Sequence, residues 1–165
     1  MAICPLHPET NQGLSKVCRK CGALIIKTER DLISGVKGVV RVGHECLALK
    51  KKIGNGRLAW DFPGGRIEKD ETPEEALRRE IKEELPSIGD FSIGEILGTY
   101  RFMVIDQPYP ITFYKIGTEP FDVVLTEEHT GFRWVNRDTV GELQTTPDVS
   151  IEPGFFQAAL KAFEN

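Results

Sequence analysis

The chain of 165 residues lacks several features that would each announce a class of protein. No apolar run approaches the ~20 residues of a membrane-spanning helix, so no membrane protein is expected. Met1-Ala2-Ile3-Cys4-Pro5 has neither the basic start nor the apolar stretch of a secretory signal, which points to a soluble cytoplasmic protein. Lys and Arg, 21 in all, do not outnumber the 25 Asp and Glu. A mildly acidic chain of net charge −4 does not suit general nucleic-acid binding, which calls for a strongly basic face. Internal repeats and low-complexity segments are absent. Cysteine is scarce, and three of the four residues (Cys4, Cys18, Cys21, Cys46) fall in the first 21 positions. Without an export signal, disulfides are not expected and a metal or redox role is. The length fits one domain with a small appendage, able to bury roughly 70% of its unfolded surface without staples.

Residues 1–33 read as that appendage and its linker, because they hold too few apolar side chains for a core. The remainder, 34–165, alternates strand and helix signals. Val36–Val42, Cys46–Lys50 and Leu58–Phe62 are short β-branched or apolar runs, the last two joined by the hairpin signal Gly54-Asn55-Gly56. Thr72–Leu85 reads as a helix: Thr72 and Glu75 form a capping box, Pro73 occupies the first helical position, and Ala76, Leu77, Ile81 and Leu85 recur at helical spacing. Pro86 ends it. Strands are predicted over 94–105, 111–116 and 131–135, with a turn at 106–110. A short helix capped by Asn136 or Asp138 should run to Leu143, and a closing helix should cover 155–163.

What the chain has in excess is acid in one place. Between Glu68 and Glu84 there are eight carboxylates in seventeen residues. Glu80, Glu83 and Glu84 stand at i, i+3 and i+4, hence on one helix face, where like charges repel by a few tenths of a kcal/mol per pair. Such a stripe is either a solvated face paired with Arg78, Arg79 and Lys82, or hard oxygen ligands for Mg²⁺ or Mn²⁺. The flanking residues bear on this choice. Gly65, five residues, Glu71, seven residues, Arg79-Glu80-Ile81, one residue, Glu83-Glu84 resembles the Nudix box (G-x5-E-x7-R-E-U-x-E-E-x-G-U, with U bulky aliphatic), and Phe62-Pro63-Gly64-Gly65 resembles its usual entry. Two positions depart: Pro86 stands where the box has glycine, and Ser87 where it has a bulky aliphatic residue. Proline cannot adopt the left-handed turn that glycine permits, so the helix must exit by another route, with no metal ligand lost.

The resemblance implies an α/β fold, the Nudix α/β/α sandwich with a mixed sheet, and divalent-metal-dependent hydrolysis of a diphosphate linkage. Glu80, Glu83 and Glu84 would hold Mg²⁺ or Mn²⁺ with the carbonyl of Gly64 or Gly65. Glu83 or Glu84 would hold or deprotonate the attacking water, Arg79 would orient the glutamates, and Glu71 would tie down the loop. Glu127 and Glu128 lie where the family often places a further acid, with Glu128 preferred; a plain polar loop is the alternative.

Cys4-x2-His7, ten residues, Cys18-x2-Cys21 gives two closely spaced pairs of soft ligands for one tetrahedral Zn²⁺, whose binding would supply the folding energy this segment lacks. A redox CxxC is the alternative. Zinc ribbons also precede the Nudix domain in the NADH pyrophosphatase branch, but that branch's proline-rich motif is echoed only loosely, and about ten residues late, by Gln107–Pro110. Cys46, in an apolar strand, reads as a small core residue. Trp60–Gly65 is similar to MutT-like nucleoside triphosphate pyrophosphohydrolases; an ADP-ribose, NDP-sugar or NADH pyrophosphatase is the second reading, and a non-catalytic nucleotide sensor or zinc-ribbon adaptor a third. Isopentenyl diphosphate isomerase shares the fold, but the surroundings of Cys46 do not match its cysteine motif. Arg57, Tyr100 and Phe102 are candidates to pair with or stack on a nucleotide, with packing and exposure as their ordinary explanation. The partner expected is a small nucleotide, with a homodimer left open.

Overall fold

The computed structural model describes residues 3–4, 7–11, 34–53, 56–104, 107–145 and 149–164. The chain divides into two compact units, Met1–Ile33 and Ser34–Asn165. In the first, β1 (Ile3–Cys4) and β2 (His7–Asn11) form a two-stranded antiparallel sheet. Cys18 and Cys21 lie outside the described residues.

The second unit is built on a seven-stranded mixed sheet of β3 (Gly35–Val42), β4 (Glu45–Lys52), β5 (Leu58–Asp61), β6 (Phe91–Val104), β7 (Gln107–Thr118), β8 (His129–Val135) and β9 (Val149–Ile151). The order is β6-β7-β3-β4-β5-β9, with β8 on β4. β3 runs parallel to β7 and antiparallel to β4. Helices α1 (Pro73–Glu84) and α3 (Pro153–Ala162) cover opposite faces, and the short α2 (Glu142–Thr145) precedes β9. The alternation of side chains along each strand divides the core in two. Val36, Val40, Leu47, Leu49 and Ile116 pack with Ala76, Leu77, Ile81 and Leu85 of α1. Val39, Ala48, Trp60, Phe62 and Phe113 pack with Phe155, Ala158, Ala159 and Ala162 of α3. β3 is buried from Gly35 to Val40 because both its faces are covered, which is why it reads as a nearly continuous apolar run. Among the described residues no helix is long and apolar enough to cross a membrane.

α1 begins as its sequence dictates. The Thr72 hydroxyl accepts from the Glu75 amide at 3.3 Å, and the Thr72 amide donates to the Glu75 carboxylate at 2.8 Å. Its exit avoids the left-handed turn. Leu85 donates its amide to Ile81 (2.9 Å), and the Ile88 amide closes a turn onto the Leu85 carbonyl (3.0 Å), with Pro86 second in that turn. The Lys82 ammonium takes the carbonyls of Ile88 and Gly89, at 3.3 and 3.0 Å.

Three predictions from sequence need correction. The turn at 106–110 is strand from Gln107 onward, paired with Val104–Arg101. Pro108 and Pro110 are tolerated because β7 meets β3 only from Ile111, and among the described residues no strand pairs with the outer edge of β7 before that point. The helix from 136 or 138 is instead a turn, in which the Asn136 side chain accepts from the Asp138 and Thr139 amides (2.9 and 3.0 Å), and α2 starts only at Glu142. β9 was not predicted at all: at three residues it is too short to show a period, and it exists through its parallel pairing with β5. Gly54 and Asn55 of the hairpin signal lie outside the described residues.

Thr72→Ala should remove the cap of α1, costing about 1 kcal/mol and roughly 2–4 °C of melting temperature. Urea and thermal unfolding check this; an unchanged midpoint would mean that packing alone seats the helix.

Candidate active site

The site is assembled where the segment after β5 passes between β3 and α1. Pro63, Gly64 and Gly65 are stitched to β3: the Gly38 amide donates to Pro63 (2.8 Å) and the Val36 amide to Gly65 (2.9 Å). Gly64 has φ +133°, and a Cβ there would stand 2.2 Å from the Val36 carbonyl oxygen, so no other residue fits. A Cβ on Gly65 would stand 2.5 Å from the Glu80 carboxylate. The two glycines therefore let backbone and carboxylates approach closely.

Arg79 organises the acids. Its Nε and Nη2 grip both oxygens of Glu71 (2.7 and 2.9 Å), its Nη1 reaches Glu80 at 2.8 Å and Glu83 at 3.4 Å, and Nη2 also takes the Arg66 carbonyl at 3.2 Å. The fixed fork of the guanidinium suits this bidentate arrangement. It holds the Glu71 carboxyl down to about 2, with help from the Glu68 amide, and keeps Arg79 itself protonated. Glu71 thus anchors the loop to the helix.

Glu84 points the other way. It is buried, and its Oε2 accepts from the Gly64 amide at 2.9 Å. Burial pushes its pKa up to about 7; Lys37 and the Gly64 amide pull it down, while Asp61 and Glu80 add to the rise. Beneath it lies a buried ionic group that sequence reasoning missed. Asp61, 2% exposed, accepts the Lys37 ammonium at 2.9 Å and pairs with Lys51 as well, while its Oδ1 accepts the Phe62 amide at 2.8 Å. Burial alone would raise the Asp61 pKa, but the two ammoniums outweigh it and hold the carboxyl below its ordinary value. Lys37 also donates to the Gly64 carbonyl at 2.6 Å. His129, the first residue of β8, is buried beside this group, and neither ring nitrogen has a partner among the described residues. Burial lowers its pKa, so the imidazole is neutral at pH 7. One signal was present in the sequence: Lys37 interrupts the apolar run of β3, and Asp61 is the one charged residue of β5.

The structure thus brings together Gly64, Gly65, Glu71, Arg79, Glu80, Glu83 and Glu84. Glu127 and Glu128 are exposed, and Glu128 acts electrostatically on both Lys51 and His129. Tyr100 and Phe102 pack toward α3, edge-on to Phe113 and Phe155 at 5.6 and 5.2 Å, on the opposite sheet face from α1. Arg57 is exposed, just before β5. Cys46 is fully buried, and burial pushes its thiol up to about 12, which suits a core residue and not a nucleophile.

Among the described residues, no three His, Cys, Asp or Glu side chains stand together as they would around an ion. Glu80 is turned onto Arg79, Glu83 faces solvent, and Glu84 faces Gly64. The donor set nonetheless fits a hard divalent cation. All three donors are carboxylates from one helix, and the buried Glu84 is penalised for its charge by Asp61 and Glu80, a penalty that such a cation would reverse.

The sequence profile of the NUDIX domain matches residues 32–157. The chain belongs to the NUDIX family. An 8-oxo-dGTP diphosphatase of Haemophilus influenzae is 28% identical over 125 residues, 72% of this chain and 87% of that protein. An 8-oxo-dGTP diphosphatase of Proteus vulgaris is 62% identical over 57 residues, 34% of this chain and 49% of that protein. An RNA pyrophosphohydrolase of a Marinomonas species is 67% identical over 30 residues, 18% of this chain and 19% of its own length. The match thus spans less than half of the last two relatives. Among solved structures, the MutT protein of Methanosarcina mazei superposes with a TM-score of 0.64 at 24% identity, covering 84% of this chain and 96% of that one. An Ap4A hydrolase of C. elegans gives 0.62 at 21%, covering 79% and 94%. Both likenesses bear on the fold.

The Glu84 environment sets a pH dependence. In the unfolded chain Glu84 titrates near the ordinary 4.5, and in the fold near 7. Between these values the folded state holds a proton that the unfolded state has lost, so stability falls as pH rises through this window, and above it the penalty is complete. With divalent ions chelated, the wild-type melting temperature should fall several degrees more from pH 5 to pH 8 than that of Glu84→Gln. Parallel curves would show that Glu84 is not desolvated.

Proposed function

We propose that this chain hydrolyses a diphosphate linkage in a nucleoside diphosphate derivative, using Mg²⁺ or Mn²⁺. The observation that carries this reading is the grip of Arg79 on Glu71, Glu80 and Glu83, with Glu84 held against Gly64 on the same helix. Glu80, Glu83 and Glu84 would hold the cation, with a glycine carbonyl as further ligand. When bound, it lowers the pKa of water and offsets charge developing on phosphate oxygens. Glu83 suits the task of holding the attacking water. Its side chain is 60% exposed and, among the described residues, bound only through the 3.4 Å contact to Arg79, whereas Glu84 is committed to the Gly64 amide. Arg79 positions Glu80 and Glu83 and touches no reacting atom. Glu128 is the further acid, supported by its electrostatic reach to Lys51 and His129.

The substrate favoured is a nucleoside triphosphate. Support comes from Trp60-Asp61-Phe62-Pro63-Gly64-Gly65 and from the two relatives that are 8-oxo-dGTP diphosphatases. An ADP-ribose, NDP-sugar or NADH pyrophosphatase is the second reading. Tyr100 and Phe102, half-buried, and Arg57, exposed, are kept as candidates for nucleotide contact.

For the first unit we propose a structural Zn²⁺ held by Cys4, His7, Cys18 and Cys21. Support comes from the ligand spacing and from the strand register that sets Cys4 opposite His7.

A product-release screen with Mg²⁺ or Mn²⁺ over nucleoside triphosphates, NDP-sugars, ADP-ribose, NADH and dinucleoside polyphosphates tests the activity. Glu83→Gln should lower kcat by at least about 10²-fold on the best substrate, as loss of a general base does. Equal turnover by wild type and variant on every compound would overturn the enzymatic reading. Purified protein should carry about one equivalent of zinc per chain; less than half an equivalent would overturn the zinc site.

A further inference from the structure

Lys37 is an anomaly in its strand. It lies at the middle of the sheet in β3, between β7 and β4, and is 6% exposed. Burying an ammonium is costly unless its hydrogen bonds are met. Two are met here, by Asp61 Oδ2 at 2.9 Å and by the Gly64 carbonyl at 2.6 Å. The second acceptor matters, because Gly64 is one of the two glycines whose carbonyl is a candidate ligand for the divalent ion. Its amide is held by Glu84 and its φ of +133° is fixed by the close approach of Val36, so the peptide has little freedom to turn. The stem of Lys37 is enclosed by the sheet, and Asp61 holds its head, so the ammonium has little freedom to withdraw.

We propose that Lys37 is a resident cation on the Gly64 carbonyl: its ammonium takes the place at that oxygen which a divalent ion would otherwise use, and so leaves the ion to the glutamates of α1 and the Gly65 carbonyl. This rests on the reading of Glu80, Glu83 and Glu84 as metal ligands. A carbonyl oxygen has two lone pairs, but an ammonium and a divalent ion sharing it are charges of one sign a few ångströms apart, in a place shielded from water. The 2.6 Å hydrogen bond already engages this oxygen. Lys37 is therefore a positioning residue: it holds Asp61 and the Gly64 peptide in place and limits how tightly the cradle takes up metal.

Backbone carbonyl ¹³C shifts of Gly64 during Mg²⁺ titration, together with Mn²⁺ binding followed by the EPR signal of free Mn²⁺, test this. In wild type the Gly64 carbonyl should show no Mg²⁺-dependent shift, while the side-chain carboxyl carbons of Glu80 and Glu83 do. In Lys37→Met the Gly64 carbonyl should acquire such a shift, and Mn²⁺ should bind about tenfold tighter. Lys37→Arg, which keeps the cation, should stay within about twofold of wild type. Lys51→Met removes an equal charge beside Asp61 without touching the carbonyl and should tighten Mn²⁺ by no more than about threefold. A Mg²⁺-dependent Gly64 carbonyl shift in wild type, or equal tightening by Lys37→Met and Lys51→Met, overturns the inference. The wild-type spectrum decides even if Lys37→Met does not fold. Wild type that binds neither ion would instead overturn the metal-dependent reading itself.

Discussion

Two glycines at the end of β5 set how closely a strand and a helix can meet, and the rest of the site follows from that distance. Gly64 lies so near β3 that a single added carbon would fall 2.2 Å from the Val36 oxygen. A carbon added at Gly65 would fall 2.5 Å from the carboxylate of Glu80. Because neither carries a side chain, one peptide segment can hydrogen-bond to β3 on one side and to Glu84 on the other. A helix bearing three like charges on one stripe is thereby drawn against the backbone, where such a stripe would by itself prefer solvent.

What makes that approach tolerable is the placing of opposite charge. On the outer side Arg79 spans Glu71, Glu80 and Glu83, converting mutual repulsion among acids into a set of shared hydrogen bonds. On the inner side Lys37 and Lys51 share Asp61, which leaves one buried positive charge beside Glu84. Glu84 is held between these two arrangements. Its pKa, pushed up to about 7, reflects an incomplete compensation, and this is the residual demand that a hard cation would satisfy. The apolar half of α1, with Ala76, Leu77, Ile81 and Leu85 in the core, supplies the packing that lets the helix bear this load.

Sequence alone carried the outline of this site because its spacing is local. The capping box, the i, i+3, i+4 glutamates and the Gly65-to-Glu71 interval all lie within one helix and its entry loop, where neighbours in sequence are neighbours in space. The exit at Pro86 was legible for the same reason. Lys37, Lys51, Asp61 and His129 come from β3, β4, β5 and β8, and only the pairing of those strands brings them together. The strand edges were also out of reach: prolines 108 and 110 read as a turn, and only the late start of the β3 pairing shows that their outer edge has no partner strand among the described residues. β9 is only three residues long and depends wholly on β5. Non-local pairing, and not weak propensity, set the boundary of what could be read.

The central claim is that close approach at the glycines creates the cation cradle, and Gly65→Ala tests it most directly by isothermal titration with Mn²⁺. The atoms nearest the added methyl are those of the Glu80 carboxyl group, the far end of a side chain that can swing away, so the fold should persist with its melting temperature within a few degrees of wild type. Displacing Glu80 should nevertheless weaken Mn²⁺ binding by at least about tenfold. A folded Gly65→Ala protein that binds Mn²⁺ as tightly as wild type would contradict the account.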